Sequence, residues 1–189
     1  MNIQGKRIIL RAIESADLPT LHLWFNDPDI AAGLGGIHFP SSLTQQEKWF
    51  ERIQADDTTI RLSVQNQNGQ LVGYSGFWQI DWRDRRAEHA LVVGKEFQGK
   101  KYGQEIIMTC ARYAFEEMGL HRLEATILET NEASLKTYTN CGFKLEGSLR
   151  EHALRGGRWI DRKVVSLLET EYQSSTSSQS YWESGEPIE

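Results

Sequence analysis

Two stretches of the chain hold groups whose types and spacing can do chemistry. The first reads Glu96-Phe97-Gln98-Gly99-Lys100-Lys101-Tyr102-Gly103-Gln104. It follows a strand-like apolar run and opens a helical pattern. Glycines let a backbone approach a phosphate closely. The leading N–H groups of a helix lack intrahelical partners, and the helix dipole favours an anion there. Lys100 and Lys101 add positive charge. The stretch from Gln98 to Gln104 therefore reads as an anion-binding turn, although such turns also occur where nothing binds. It is neither a P-loop nor a dinucleotide fingerprint, because G-x-x-x-x-G-K-[ST] and G-x-G-x-x-G are both absent.

The second stretch reads Asn131-Glu132-Ala133-Ser134-Leu135-Lys136-Thr137-Tyr138-Thr139-Asn140-Cys141-Gly142-Phe143. On a helix from Asn131 to about Asn140, Ser134 and Tyr138 share a face one turn apart, with Asn131 at its start. Such a stripe lines a cleft, or else belongs to a capped surface helix with a half-buried tyrosine.

The elements that must position these groups are legible around them. Residues 6–13 read as a strand, followed by a helix capped near Ser15 and Asp17 and ending at about Phe25. Asn26-Asp27-Pro28-Asp29 breaks it, and the glycine-rich 33–42 segment reads as a loop. Thr44 and Glu47 have capping-box spacing ahead of Trp49, Phe50 and Ile53. Strands are expected at Ile60–Val64, Leu71–Ile80 and about Ala87–Val93, with a hairpin turn at Asn66–Gly69. Ile106, Ile107, Cys110, Ala111, Ala114, Phe115 and Met118 form an amphipathic helix stripe, and Gly119 suits its C-terminal cap. A strand at His121–Leu128, the short helix from Asn131, a strand from Gly142-Phe143 and a last one at Trp159–Leu168 complete the order. The strand–helix–strand unit between about 87 and 128 should make its two strands parallel in an otherwise antiparallel sheet.

Bulk properties exclude several function classes. The 189 residues suffice for one domain with a sizeable core, expected over 1–172. The polar, Ser-rich segment 173–189 reads as a disordered or loosely attached tail. With a formal net charge of −5 and no basic face, no nucleic-acid partner is expected. No apolar run approaches the roughly 18 residues of a membrane span, and the first residues lack a signal-peptide layout. A soluble, cytoplasmic protein with no membrane partner is expected. Cys110 and Cys141 are too few for a disulfide scaffold, and no Cys/His cluster has zinc spacing, so no metal is expected.

The two stretches together resemble the signature of the GNAT (GCN5-related N-acetyltransferase) superfamily. Members carry a Q/R-x-x-G-x-G/A turn and then, one helix and one strand later, N-x-x-A/S-x-x-x-Y-x-x-x-G-F. Gln98, Lys101 and Gly103 stand in the first pattern; Asn131, Ser134, Tyr138, Gly142 and Phe143 fill the second. The likeness runs from about residue 5 to 172. Leu10-Arg11, Trp24 with Asn26-Asp27-Pro28, Trp49-Phe50, Arg86-Ala87-Glu88, Glu146-Gly147 and Trp159-Ile160-Asp161 look like the branch of ribosomal-protein N-terminal (RimJ/RimL-type) and spermidine acetyltransferases.

The resemblance implies an α/β (α+β) GNAT fold. Its mixed, mostly antiparallel sheet should have six to seven strands, a central parallel pair splayed around acetyl-CoA, and about four flanking helices. It implies direct acetyl transfer from acetyl-CoA to a primary amine on a protein N-terminus, polyamine, amino sugar or small molecule. The alternative is a non-catalytic acyl-CoA-binding module; a homodimer is left open. The amides of Gln98, Gly99, Lys100, Lys101, Tyr102, Gly103 and Gln104 should hold the CoA pyrophosphate. Asn131 and Ser134 should contact the pantetheine arm or a phosphate. Tyr138 should be the general acid at the sulfur, and Glu88 the base, unless Arg85 or Arg86 pairs with it. His89 should face the other side of the sheet. A backbone N–H at Leu91, Val92 or Val93 should polarise the thioester carbonyl. Trp24, Asn26, Trp78 and Trp82 are the expected acceptor contacts. Lys101 replaces the usual glycine, and a negative φ is expected there.

Overall fold

The computed structural model describes residues 1–34, 39–53, 57–174 and 182. One eight-stranded sheet organises them, in the order β1-β2-β3-β4-β5-β6-β8-β7. The strands are β1 (Ile3–Gln4), β2 (Ile8–Ala12), β3 (Ile60–Asn66), β4 (Leu71–Asp81), β5 (Arg86–Val93), β6 (Arg122–Leu128), β7 (Lys144–Arg155) and β8 (Arg158–Leu168). The helices are α1 (Leu18–Asn26), α2 (Pro28–Gly33), α3 (Leu43–Ile53), α4 (Tyr102–Arg112), α5 (Glu132–Asn140) and α6 (Glu169–Ser174). Only β5 and β6 are parallel; every other ladder is antiparallel. The mixed sheet with its central parallel pair is the expected architecture.

The counts are larger than expected for local reasons. The strand read over 6–13 is preceded by β1, which folds back on it across Gly5, pairing Ile3 with Leu10. The stretch read only as a helix break starts a new helix instead: the Asp27 carboxylate accepts from the Asp29 amide, and Pro28 occupies the first helical position of α2. Two residues before the expected box, Ser42 and Gln45 form the reciprocal cap of α3. The remainder of the loop expected over 33–42, residues 35–38, lies outside the described residues, as does all of 173–189 except Gln173, Ser174 and Trp182. The Trp182 indole donates to the Tyr172 hydroxyl at 3.2 Å and lies under the Arg112 guanidinium.

Alternation along the strands sends successive side chains to opposite faces, and the register fixes which residues share a face. Leu62, Val64, Phe77, Leu123, Ala125, Val165 and Leu167 point to one face, where α4 covers them with Ile106, Ile107, Cys110, Ala111 and Ala114. Each fully buried large aliphatic side chain there is worth roughly 1.5–3 kcal/mol of transfer free energy. The α4 stripe ends in a π-helical turn, with the Met118 amide donating to the Tyr113 carbonyl. Gly119, at φ +66°, follows as the expected stop. The opposite face carries Tyr74, Trp78 and Val92, under Leu21, Trp24 and Phe25 of α1 and Trp49 of α3. No described helix is long and apolar enough to cross a membrane.

Candidate active site

The parallel pair does not stay paired. β5 meets β6 only from Arg86↔Arg122 to Glu88↔Glu124. Beyond that point β5 remains paired to β4 as far as Val93, and β6 to β8 as far as Leu128. The two strands part and open a wedge, whose backbone polar groups need partners. Two are met by side chains: the Tyr138 hydroxyl donates to the His89 carbonyl (3.2 Å), and the Gln98 side-chain amide donates to the Val93 carbonyl (3.2 Å). Alternation therefore points the backbone of His89, Leu91 and Val93 into the wedge. Val92 belongs to the other set, because Gly94, two residues on and therefore pointing the same way, donates its amide across to Val72 of β4. Of the three residues expected to offer an N–H, Leu91 and Val93 face the wedge and Val92 does not.

At the wedge mouth sits the turn. Gly99 (φ +73°) and Lys101 (φ +62°) are both left-handed, and α4 starts at Tyr102. The negative φ expected at Lys101 is therefore incorrect. A β-carbon in this region costs about 1–2 kcal/mol, and the neighbourhood holds the turn against that strain. Arg7 braces it, bonding the Lys100 carbonyl (3.4 Å) and pairing with Glu105 (2.8 Å). Lys101 supplies no side-chain cap, so the amides of Tyr102, Gly103 and Gln104 are presented outward. Among the described residues, the buried Gln104 Nε2 also lacks a partner. A side chain added at Gly103 would first meet Leu91, Val93 and Thr137, 3.7–3.8 Å from its β-carbon. Unpaired donors beside a bare backbone cradle, opening onto a wedge lined by backbone, fit a diphosphate with an extended amide-bearing arm. That is the shape of CoA.

Tyr138 closes the inner end of the wedge from the α5 side. It is 3% exposed and packs edge-on against Phe143 (5.0 Å) and His89 (5.7 Å). Its hydroxyl lies 2.8 Å from His89 Nδ1; His89 Nε2 lies 3.0 Å from Ser75 Oγ. Burial raises the Tyr138 pKa well above the usual phenol value and pushes His89 down to about 3. Tyr138 is thus a protonated phenol and His89 a neutral ring with a single N–H. Ser75 Oγ donates to the Ala90 carbonyl (3.0 Å) and so accepts from His89 Nε2–H, which leaves the Tyr138 hydroxyl facing the unprotonated Nδ1 and the His89 carbonyl.

His89 does face away from Glu88, as alternation requires. That placement made it look remote in the sequence, yet its face is the one Tyr138 occupies. The folded-state value of His89 lies below its unfolded value near 6.5, so the unfolded chain takes up the proton first. Its contribution to stability is complete above about pH 6.5 and is lost as the pH falls toward 3. Denaturant titrations from pH 7.5 to 5 should show stability declining by up to about 1.4 kcal/mol per pH unit below 6.5 from this group. His89→Gln should flatten that slope; an unaltered slope would remove His89 as its source.

Glu88 leaves the sheet on the opposite face, at the last paired residue before the wedge. Its carboxylate accepts from the Thr126 hydroxyl (2.5 Å). Neither neighbouring arginine takes it: Arg86 pairs with Asp81 and Glu124, and Arg85 with Glu169. Among the described residues Glu88 thus makes no ion pair with Arg85 or Arg86, and its carboxylate lines a cavity of about 740 Å³. Of the four acceptor contacts expected, Trp78 lines this cavity. Trp24 is core, packed over Gly94, and Trp82 is 54% exposed beyond the end of β4. Asn26 holds the Ser41 backbone and borders a separate depression beside Lys95. Asn131 caps α5, its side-chain carbonyl accepting from the Ser134 amide (3.1 Å). Sequence reasoning missed Tyr74, Trp49, Thr126, Arg52, Arg61 and Arg162 of the cavity. Only the strand register, which spacing within one segment does not encode, brings most of them together.

The chain is similar to known acetyltransferases. The family model for the acetyltransferase (GNAT) domain matches residues 7–144. A spermidine N(1)-acetyltransferase of Vibrio cholerae is 26% identical over 168 residues, covering 89% of this chain and 96% of that protein. An L-methionine sulfoximine/L-methionine sulfone acetyltransferase of Pseudomonas aeruginosa is 26% identical over 157 residues, covering 80% and 89%. The crystal structure of the Vibrio cholerae spermidine N-acetyltransferase in complex with CoA and spermine superposes with a TM-score of 0.84 at 26% identity, covering 90% of this chain and all of that one.

Proposed function

Since the chain belongs to the GNAT acetyltransferase family and transfers an acetyl group from acetyl-CoA to an amine, we propose that Glu88 and Tyr138 serve the two ends of that transfer through the wedge. The observation that carries the reading is their placement. Glu88 is the last residue of β5 paired with β6 and leaves on one face, and the Tyr138 hydroxyl bonds the next residue, His89, from the other. A reacting carbonyl lying between the parted strands has a base on the acceptor side and an acid on the leaving-group side.

Acetyl-CoA supplies the activated acyl group. The turn amides from Gln98 to Gln104 hold its diphosphate, and the inner strand edge binds its arm. Ser134, half-buried beside the capping Asn131, contacts that arm. Glu88, directly or through one water, takes the proton that an acceptor amine of pKa about 8–10.4 carries at neutral pH. The Leu91 amide donates to the oxyanion that develops on attack. Tyr138 gives its proton to the departing sulfur. Transfer is direct: burial pushes both Cys110 and Cys141 up to about 12, so neither thiol is available as an acyl carrier.

Finer parts of the reading are a cytoplasmic enzyme of the RimJ/RimL-like branch that forms a homodimer. Leu145, Leu154 and Trp159, exposed on the β7–β8 hairpin, support the last of these. Glu88→Gln tests the acceptor side. It should lower kcat/KM for the amine by ~10²-fold at pH 7 and leave acetyl-CoA binding in place. The loss should shrink as rising pH supplies free amine. An unchanged kcat/KM would remove Glu88 as the base.

A further inference from the structure

Among the described residues, the cavity is lined by more cationic than anionic side chains. β3, β5 and β8 place Arg61, Glu88 and Arg162 on one sheet face: Arg61 is opposite Gly76, which is opposite Ala90, two residues after Glu88. Arg162 is opposite Leu128, four residues after Glu124, the partner of Glu88. With strands about 4.8 Å apart, Arg61 approaches from one side of the wedge and Arg162 from the other. α3 roofs the same space, and its Gln46, Trp49 and Arg52 follow one another at three-residue intervals on the cavity side. Arg52 Nε is held on the Lys48 carbonyl (3.3 Å), and Arg61 contacts the Tyr74 phenol. Three guanidinium groups and one carboxylate thus line the cavity among the described residues.

We propose that the acceptor is a small primary amine carrying its own anionic group, and that Arg52, Arg61 and Arg162 recognise that anion while the amine turns toward Glu88. The proposal rests on the acetyl-transfer reading above and names its substrate class. A planar guanidinium pairs with carboxylate and phosphate oxygens in a fork geometry that suits both. Trp49, Tyr74 and Trp78 offer an aromatic wall for the body between the two charged ends. A cavity of about 740 Å³ suits a molecule of that size.

A polyamine is the opposite case, since it needs several carboxylates along its length. Glu47 and Glu51 of α3 are exposed and do not line the cavity, and three acidic residues around α1 and α2 are engaged elsewhere. Asp17 is buried against Arg11 and Ser63, Asp27 caps α2, and Asp29 pairs with Lys95. None of these three lines the cavity with Glu88.

The test uses matched acceptors with acetyl-CoA and the full chain. L-Methionine is compared with 3-(methylthio)propylamine, its counterpart without the carboxylate. Glucosamine 6-phosphate is compared with glucosamine, and spermidine is the fifth probe. The anionic member of at least one pair should have kcat/KM at least ~10-fold above its uncharged counterpart, with spermidine the poorest of the five. The pair that shows the preference says whether carboxylate or phosphate is the anion. Arg162→Gln and Arg61→Gln should each bring that ratio toward one, and Arg61→Lys should restore part of it. Equal or better use of both uncharged members, or preference for spermidine, would overturn the proposal while leaving acetyl transfer standing. Acetylation of none of the five, with amine-dependent thiol release on other amines, would overturn the proposal alone; no thiol release with any amine would overturn both.

Discussion

Tyr138→Phe should lower kcat by ~10²-fold or more and leave the affinity for acetyl-CoA within a few-fold. Acid catalysis by a positioned side chain typically contributes ~10²–10⁴-fold, and the substitution removes one oxygen and nothing else. The ring contacts with Phe143 and His89 remain, so the inner wall of the wedge keeps its shape. The structural penalty is separate and bounded. His89 Nδ1 and the His89 carbonyl lose a buried partner, worth about 1–3 kcal/mol of stability. That loss is read by unfolding rather than by turnover. A fall in kcat with KM held marks an interaction made in the transition state. Unchanged kcat in a folded Tyr138→Phe protein would exclude Tyr138 from proton transfer to the sulfur.

Gly103→Glu should abolish measurable CoA binding. A side chain there grows toward Leu91, Val93 and Thr137, the residues that flank the wedge mouth. Its carboxylate would also stand beside the diphosphate. Two like charges about 4 Å apart repel by about 4 kcal/mol at an effective dielectric of 20, roughly 10³-fold in Kd. The fold should survive, because glutamate is a better helix former than glycine in the first turn of α4. Gly103→Ala provides the control. Its β-carbon meets neighbours at ordinary contact distance, so binding should weaken only modestly. Calorimetry with CoA reads both variants, and wild-type affinity in Gly103→Glu would remove the turn from the diphosphate site.

The parts of this molecule that were legible in the sequence are those written in local spacing. The α4 stripe, the Gly119 stop and the Asn131 cap each depend on residues within one or two turns of each other, and all three stand as read. The turn from Gln98 to Gln104 was visible because its glycines and lysines are adjacent. What stayed hidden depends on register across the sheet. Nothing in the local pattern around His89 shows that its ring meets Tyr138, 49 residues away. Likewise, Arg61 and Arg162 share a cavity only because three ladders align them. The misreading of Lys101 has a different source. Left-handed lysine is uncommon on steric grounds, so the cheaper conformation was expected. The geometry of the turn, braced by Arg7 and Glu105, overrides that local preference.

Direct transfer through the wedge is tested most simply by following CoA thiol release from acetyl-CoA in the presence and absence of an acceptor amine. Release should depend on the amine and match acetylated amine one for one, with no burst from enzyme and acetyl-CoA alone. Tight CoA binding without turnover on any amine, or one equivalent of thiol released per enzyme before amine is added, would contradict it.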